Sequence, residues 1–270
     1  MIIDGTACDL AGPVDGPVLV LIHGLGLTRQ TWAGFMPDLA RNHRVLSYDL
    51  CGHGESRLPA KTPSLAVLSD QLRTLLDGLG IGRATLIGFS LGGMINRRFA
   101  MDCPDRTEAL VILNSPHERT PEAQRLVEER AAATGAGGPA ATITETLDRW
   151  FTPAFRWDRP DVVNWVRDTV LANDPDNYAR HRQVLAAGVL ELVRPRPPIM
   201  APTLVMTCEN DSGSTPAMTN AIAAEIPGAE TVIVPGLQHL GLLETPRPFL
   251  DPTLRFLDRV LHRESSVTKG

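Results

Sequence analysis

The feature that most constrains this chain is a hexapeptide, Gly88-Phe89-Ser90-Leu91-Gly92-Gly93, set between an apolar, β-branched run at 84–87 and a helix-like stretch at 94–100. A strand that enters a helix through G-x-S-x-G turns so sharply that its serine takes a strained backbone angle, and the positions two residues either side must be small for strand and helix to pass. Gly88 and Gly92 stand at those positions. Such a turn holds the Ser90 hydroxyl clear of the sheet edge and aims the Leu91 amide, at the helix start, toward any oxyanion formed there. The bland alternative is a glycine-rich turn in an ordinary α/β protein, so the rest of the chain must decide.

The surrounding pattern is one of alternating strands and helices. Residues 17–22 form a near-continuous apolar run ending in His23-Gly24-Leu25-Gly26, as expected of a strand buried on both faces of a parallel sheet. A helix is expected over 32–40, a second strand over 43–48 closed by the turn-rich 49–56, and a helix capped by Ser64 running to Leu79. The elbow strand follows, then another at 110–113 ending at Asn114-Ser115. Repeated βα units predict a mainly parallel, doubly wound sheet. After Ser115 the rhythm becomes helical, with Thr120-Pro121 as a start signal and a Gly/Ala-rich break at 135–141. Prolines at 195, 197 and 198 then mark a boundary, strands resume at 203–207 and 231–234, a closing helix spans 248–261, and 264–270 reads as a frayed tail.

Composition narrows the function classes. With 43% hydrophobic and 21% charged residues over 270 positions the chain has ample core and is not a disordered segment. A net charge of -5 without long like-charge blocks argues against nucleic acid and anionic membrane surfaces as partners. Cys8, Cys51, Cys103 and Cys208 lie far apart with no C-x-x-C spacing, which points to reduced thiols, a cytoplasmic location and neither metal nor redox chemistry. The first residues lack a basic leader with an apolar core, and no apolar run approaches the ~18 residues that span a bilayer, so neither export nor an anchor is expected.

A serine hydroxyl becomes a nucleophile only when a base takes its proton, and the base must be held in one tautomer by an acid. Two loops that follow later strands offer these groups: Cys208-Glu209-Asn210-Asp211-Ser212-Gly213, and Pro235-Gly236-Leu237-Gln238-His239. In α/β-hydrolases the chain order is serine, then aspartate or glutamate, then histidine. Asp211 and His239 are accordingly the expected acid and base, with Glu209, two residues nearer the strand, as the rival acid. Asn114 and Glu118, after the strand at 110–113, offer a poorer acid site. His23, His43, His53, His117, His181 and His262 are read as structural, His23 as a turn-stabilising residue. The Leu25 amide, between two glycines after an early strand, is the candidate second oxyanion donor beside Leu91. Asp49-x-x-Gly52-x-Gly54-x-Ser56 reads as a structural turn.

Taken together, HGLG at 23–26, the 49–56 turn, GFSLGG at 88–93, ENDSGSTP at 209–216 and QH at 238–239 resemble the α/β-hydrolase family over nearly the whole chain. The resemblance implies the α/β-hydrolase fold, a sheet of about eight strands with a helical lid over 116–198 inserted in a core of 1–115 and 199–270. Arg149-Trp150-Phe151-Thr152, residues 160–163 and Asn177-Tyr178-Ala179 resemble the lid of the 3-oxoadipate enol-lactonases. On that resemblance Arg149 becomes a partner for a substrate carboxylate and Trp150 a pocket wall; a solvated helix residue and ordinary lid packing are the bland alternatives. The chain departs from that subgroup at Cys51, Cys208, Gln238 and 188–190, which leaves the substrate open.

The expected activity is that of a cofactor-independent serine hydrolase for a small carboxylic ester or lactone, 3-oxoadipate enol-lactone being one version. A carbon–carbon bond hydrolase and a cofactor-free haloperoxidase or perhydrolase would keep the same triad. From another class, a hydrolase-like ligand receptor would keep the triad and turn over slowly.

Overall fold

The computed structural model describes residues 1–134 and 137–267, and within them the side chains of all but 130, 133, 134 and 262–267. Eight strands make one sheet: β1 (Ile2–Ile3), β2 (Thr6–Ala11), β3 (Val18–Ile22), β4 (Arg44–Tyr48), β5 (Ala84–Phe89), β6 (Thr107–Leu113), β7 (Thr203–Cys208) and β8 (Glu230–Val234). Their spatial order is β1-β2-β4-β3-β5-β6-β7-β8, antiparallel at the first two pairings and parallel from β4 onward. The inner strands are sealed on both faces, all six residues of β5 and of β7 being buried, which is why they read as unbroken apolar runs. At the edge, β8 is largely exposed.

Register sets the stage for chemistry. Ile22 lies beside both Tyr48 and Gly88, Phe89 beside Leu113, and Leu113 beside Met206, so β3, β5, β6 and β7 end together at one edge of the sheet. From β3 the chain crosses first to β4 on one side and later to β5 on the other. The crevice between β3 and β5 is thus the topological switch point, where ligands of open α/β sheets settle.

Helices α1 (Met36–Leu39), α2 (Leu65–Gly78) and α3 (Leu91–Asp102) connect the first half of the sheet. Helices α4 (Pro121–Thr134), α5 (Ile143–Trp150), α6 (Pro153–Asp158), α7 (Pro160–Leu171) and α8 (Pro175–Ala187) all lie between β6 and β7. The chain closes through α9 (Pro216–Ala224), α10 (Gly241–Glu244) and α11 (Arg247–Val267). Ser64 does cap α2, its Oγ accepting the Val67 N–H at 3.2 Å.

Some sequence expectations need correction. The helix expected over 32–40 is two pieces, a 3-10 turn at Arg29–Trp32 and the short α1. Gly34 interrupts them, and Pro37 is tolerated only within a first turn, so α1 must restart just before it. The hairpin of β1 and β2 was not among the strands read off the pattern. Asp4 (φ 45°) and Gly5 (φ 78°) form its two-residue turn, the left-handed pair that matches strand twist, and Asp-Gly is a residue pair suited to it. The closing helix is longer than expected and continues into the supposed tail as far as Val267, whereas 268–270 lie outside the described residues. Of the break expected at 135–141, residues 135 and 136 also lie outside them, and Gly138–Ala141 form a 3-10 turn. Among the described residues no helix is long and apolar enough to cross a membrane.

Candidate active site

The passage from β5 into α3 places Ser90 at φ 55°, ψ −113°, a conformation L-residues seldom adopt. Close packing enforces it: a Cβ on Gly88 would stand 2.2 Å from the Gly92 carbonyl oxygen, and one on Gly92 2.1 Å from that of Ile22. The Ser90 N–H donates to the Leu113 carbonyl at 2.8 Å, which ties the elbow to β6. Ser90 itself is buried beneath the helices that follow β6.

His239, in the loop after β8, brings Nε2 to 3.2 Å from Ser90 Oγ, with the hydroxyl as donor. Its Nδ1–H donates to Asp211 Oδ2 at 2.6 Å, across the gap between the β7 and β8 loops. Phe89 and Trp150 flank the imidazole, with ring centroids at 5.0 and 5.9 Å. The Leu240 N–H donates to the Trp150 carbonyl at 2.8 Å and so couples the histidine loop to the end of α5.

Asp211 is almost fully buried yet amply supplied with donors. Oδ2 also accepts Asn114 Nδ2–H at 2.9 Å, and Oδ1 accepts the N–H groups of Gly213 and Ser214, each at 2.9 Å. Burial alone would raise its pKa; the charge and hydrogen bond of His239, with the Asn114 and Ser214 donors, outweigh that and hold it below the usual carboxylate value. Glu209 is exposed and accepts the Gly236 N–H at 2.9 Å, facing away from the histidine. Asn114 is a site residue that the sequence reading set aside as a poor acid. Its signal was its position directly after β6, where it takes φ 47°, a left-handed conformation asparagine tolerates better than most residues.

The loop after β3 packs directly on the elbow. A Cβ on Gly24 would stand 3.2 Å from Ser90 Cβ, and Gly26 turns at φ 75° against the Tyr178 ring. Leu25 lies in this loop and Leu91 is the first residue of α3, and neither N–H has a hydrogen-bond partner among the described residues. His23 holds the loop from beneath, Nδ1–H donating to the Gly24 carbonyl at 2.7 Å and Nε2 accepting the Leu50 N–H at 2.9 Å. The Asp49 carboxylate ties its turn to the segment after β3, accepting the Arg29 and Glu55 N–H groups at 2.7 and 3.0 Å and pairing with the Arg29 guanidinium.

Ser90, His239 and Asp211 open into a cavity of about 650 Å³ between the sheet edge and α4, α5, α8 and α9. Leu25, Arg149 and Trp150 line it, as do Tyr178, Arg119 and Arg182, three residues that sequence reasoning did not assign to the site. Arg149 reaches back along its own helix to the Glu145 carbonyl at 3.3 Å. Among the described residues no cluster of three or more His, Cys, Asp or Glu side chains could hold a metal ion.

The model of the alpha/beta hydrolase family matches residues 19–251, a span that takes in the elbow, both loops and every helix between β6 and β7. The chain belongs to that family. Among the relatives of this hydrolase is the 3-oxoadipate enol-lactonase 2 of Acinetobacter baylyi, 28% identical over 239 residues, which are 88% of this chain and 87% of the relative. The (E)-2-((N-methylformamido)methylene)succinate hydrolase of the same organism is 27% identical over 234 residues, 86% of this chain and 87% of the relative. The enol-lactonase from Burkholderia xenovorans superposes on the hydrolase with a TM-score of 0.85 at 29% identity, covering 95% of this chain and 98% of that one. The family resemblance and the α/β fold expected from the motifs therefore stand, as does the likeness to enol-lactonases.

Proposed function

We propose that this hydrolase cleaves small carboxylic esters or lactones through an acyl-enzyme on Ser90. The observation that carries the reading is the continuous hydrogen-bonded chain Ser90 Oγ–His239–Asp211, which ends at a four-donor carboxylate and begins at a strained serine. His239 Nε2 takes the hydroxyl proton as Oγ attacks the substrate carbonyl, while Asp211 keeps the other ring nitrogen protonated and compensates the imidazolium charge. The Leu25 and Leu91 amides receive the oxyanion, the latter with the α3 dipole behind it. Collapse of the intermediate breaks the acyl–oxygen bond, and His239 returns the proton to the leaving alkoxide. In the second half-reaction His239 deprotonates water, water opens the acyl-enzyme, and the acid is released with Ser90 restored. No group beyond these side chains, two amides and water is required.

Helices α4–α8 act in this reading as the lid over the core, and Arg149 and Trp150 as its substrate-facing residues. An enol-lactone bearing a carboxylate is the version that the enol-lactonase relatives support. The first test is turnover of short p-nitrophenyl esters and of 3-oxoadipate enol-lactone by the wild type and by Ser90→Ala, with a fluorophosphonate used to label the nucleophile. Label on Ser90, turnover in the wild type and none in a folded Ser90→Ala protein are the expected results. Label at another serine would make the elbow structural, and a wild type that binds esters without turning them over would favour the receptor class.

A further inference from the structure

Arginines in this protein fall into two kinds. Most pair with carboxylates at the surface, as Arg98 does with Asp102 and Glu191 and Arg194 with Glu118. Arg97, fully buried, forgoes a carboxylate but places its donors on the Gly93 and Pro116 carbonyls and on Ser115 Oγ, at 3.0, 2.8 and 3.1 Å. Arg119 and Arg182 stand apart from both kinds, each with one neutral partner, Gln124 for Arg119 and the Tyr178 hydroxyl for Arg182. Both line the cavity beside Ser90, both are partly buried, and among the described residues neither forms an ion pair with a carboxylate.

Arg119, on the segment between β6 and α4, is held by one neutral acceptor, Gln124 Oε1 at 3.1 Å. The same Gln124 amide donates to Glu128 at 2.6 Å and to the Ala186 carbonyl at 2.8 Å, so it bridges the guanidinium to Glu128, whose charge Arg119 feels without an ion pair between the two. Arg182 projects from α8 one turn after Tyr178, whose buried hydroxyl is its neutral hydrogen-bond partner and also feels the charge of Arg149. The acid beside Arg119 in the cavity wall, Glu118, is taken by Arg194 at 2.8 and 2.9 Å. Asp211, the other acid there, is already engaged by its four donors. A guanidinium carries five N–H donors and never loses its charge, so a partly dehydrated one with a single neutral acceptor lacks an anion to complete it.

We propose that Arg119 and Arg182 form an anion-binding wall that selects esters or lactones carrying a free carboxylate on the acyl chain, so that the product is a dicarboxylate. The proposal rests on the hydrolase reading above and adds to it two residues from two separate lid elements, independent of Arg149. On the acyl chain the carboxylate stays bonded to the part attached to Ser90 through both half-reactions. The two arginines can therefore hold the acyl-enzyme in place while water attacks.

The test uses two p-nitrophenyl esters of equal chain length, the neutral valerate and the anionic hydrogen glutarate, with wild type, Arg119→Gln, Arg182→Gln and Arg182→Lys. For each glutamine variant the ratio of kcat/KM, anionic over neutral, falls roughly 10- to 100-fold, as expected for a lost charge-assisted hydrogen bond, and the lysine variant recovers part of it. Glutarate binding to the Ser90→Ala protein, measured by calorimetry without turnover, weakens by a similar factor when either arginine is replaced. A ratio unchanged in both glutamine variants, with glutarate affinity also unchanged, overturns the proposal. The two readings fail separately. A wild type inert toward both esters that still binds glutarate in an arginine-dependent way removes the hydrolase and leaves the anion wall. Hydrolysis of both esters with a ratio indifferent to either arginine removes the wall and leaves the hydrolase.

Discussion

Asp211→Asn exchanges one carboxylate oxygen for an NH2 group at a point where four donors converge, so its effect depends on which way the amide turns. With the amide oxygen in the Oδ2 place, toward His239 and Asn114, the NH2 confronts the Gly213 and Ser214 N–H groups and both lose their acceptor. With the oxygen in the Oδ1 place both backbone bonds survive, and the NH2 faces Asn114 and His239. The imidazole can then accept at Nδ1 by moving its proton to Nε2, so only Asn114 remains in conflict. At about 1–3 kcal/mol for each buried donor left unsatisfied, the second orientation wins by the difference of one donor. It is also the inactive one, because Nε2 then carries a proton and cannot take that of Ser90. The expected loss in kcat is about 10⁴-fold, by analogy with the protease triad, or about 5.4 kcal/mol of transition-state stabilisation. The protein should remain folded, with stability lower by about 1–3 kcal/mol from the one orphaned donor. Glu209→Gln is the control: among the described residues the exposed carboxylate bonds only to the Gly236 N–H, and kcat should change less than about threefold. Initial rates on p-nitrophenyl butyrate, paired with urea unfolding, measure both quantities. An Asp211→Asn enzyme within tenfold of wild type, or a Glu209→Gln enzyme equally damaged, would refute the reasoning.

Asn114→Ala removes one of the two donors on Asp211 Oδ2 and should lower kcat roughly tenfold with little change in KM, since the bond is made to a charged group and touches no substrate; an unchanged kcat would make Asn114 a packing residue only. Stability should fall as the medium is acidified from pH 6.5. His23, His53 and His181 form a buried cluster, with ring centroids at 5.4 and 4.8 Å, and burial pushes all three below the ordinary histidine value, His23 to about 4. The unfolded chain takes up protons below about 6.5 that the folded cluster refuses, so the stabilisation is whole above that pH and lost below it, at up to about 4 kcal/mol per pH unit for three groups. Asp211, with its pKa also depressed, adds a loss of the same sign only below about pH 3.9. Urea midpoints at pH 7.5, 6.5 and 5.5 test this window, and a flat midpoint contradicts it.

The parts of this molecule legible from the chain alone are those governed by short-range backbone geometry or by one-dimensional pattern. The elbow is of that kind: strand, helix and strained serine lie within a dozen residues, and Gly88 and Gly92 are required by clashes among near neighbours. Strands buried on both faces announce themselves as apolar runs, so β3, β5 and β7 could be placed to within a residue or two. The 32–40 helix was overread because apolar spacing cannot see that Gly34 and Pro37 break it. The β1–β2 hairpin has too short a first strand to show an alternating pattern, and Asp4-Gly5 is its one local signal.

What the pattern leaves undecided depends on distances across the fold. Glu209 and Asp211 stand two residues apart on one loop, and only the packing of the β7 and β8 loops turns one toward His239 and the other toward Gly236. Asn114 meets Asp211 over 97 residues of sequence because β6 and β7 end side by side. The cavity arginines come from the segment before α4, from α5 and from α8, stretches whose local sequences are ordinarily polar, and all three line one cavity only in the folded chain. Local sterics act between neighbours in the chain, whereas electrostatic surroundings are set by whatever the tertiary contacts bring near, so the strained elbow at Ser90 is legible in the chain and its surroundings are not.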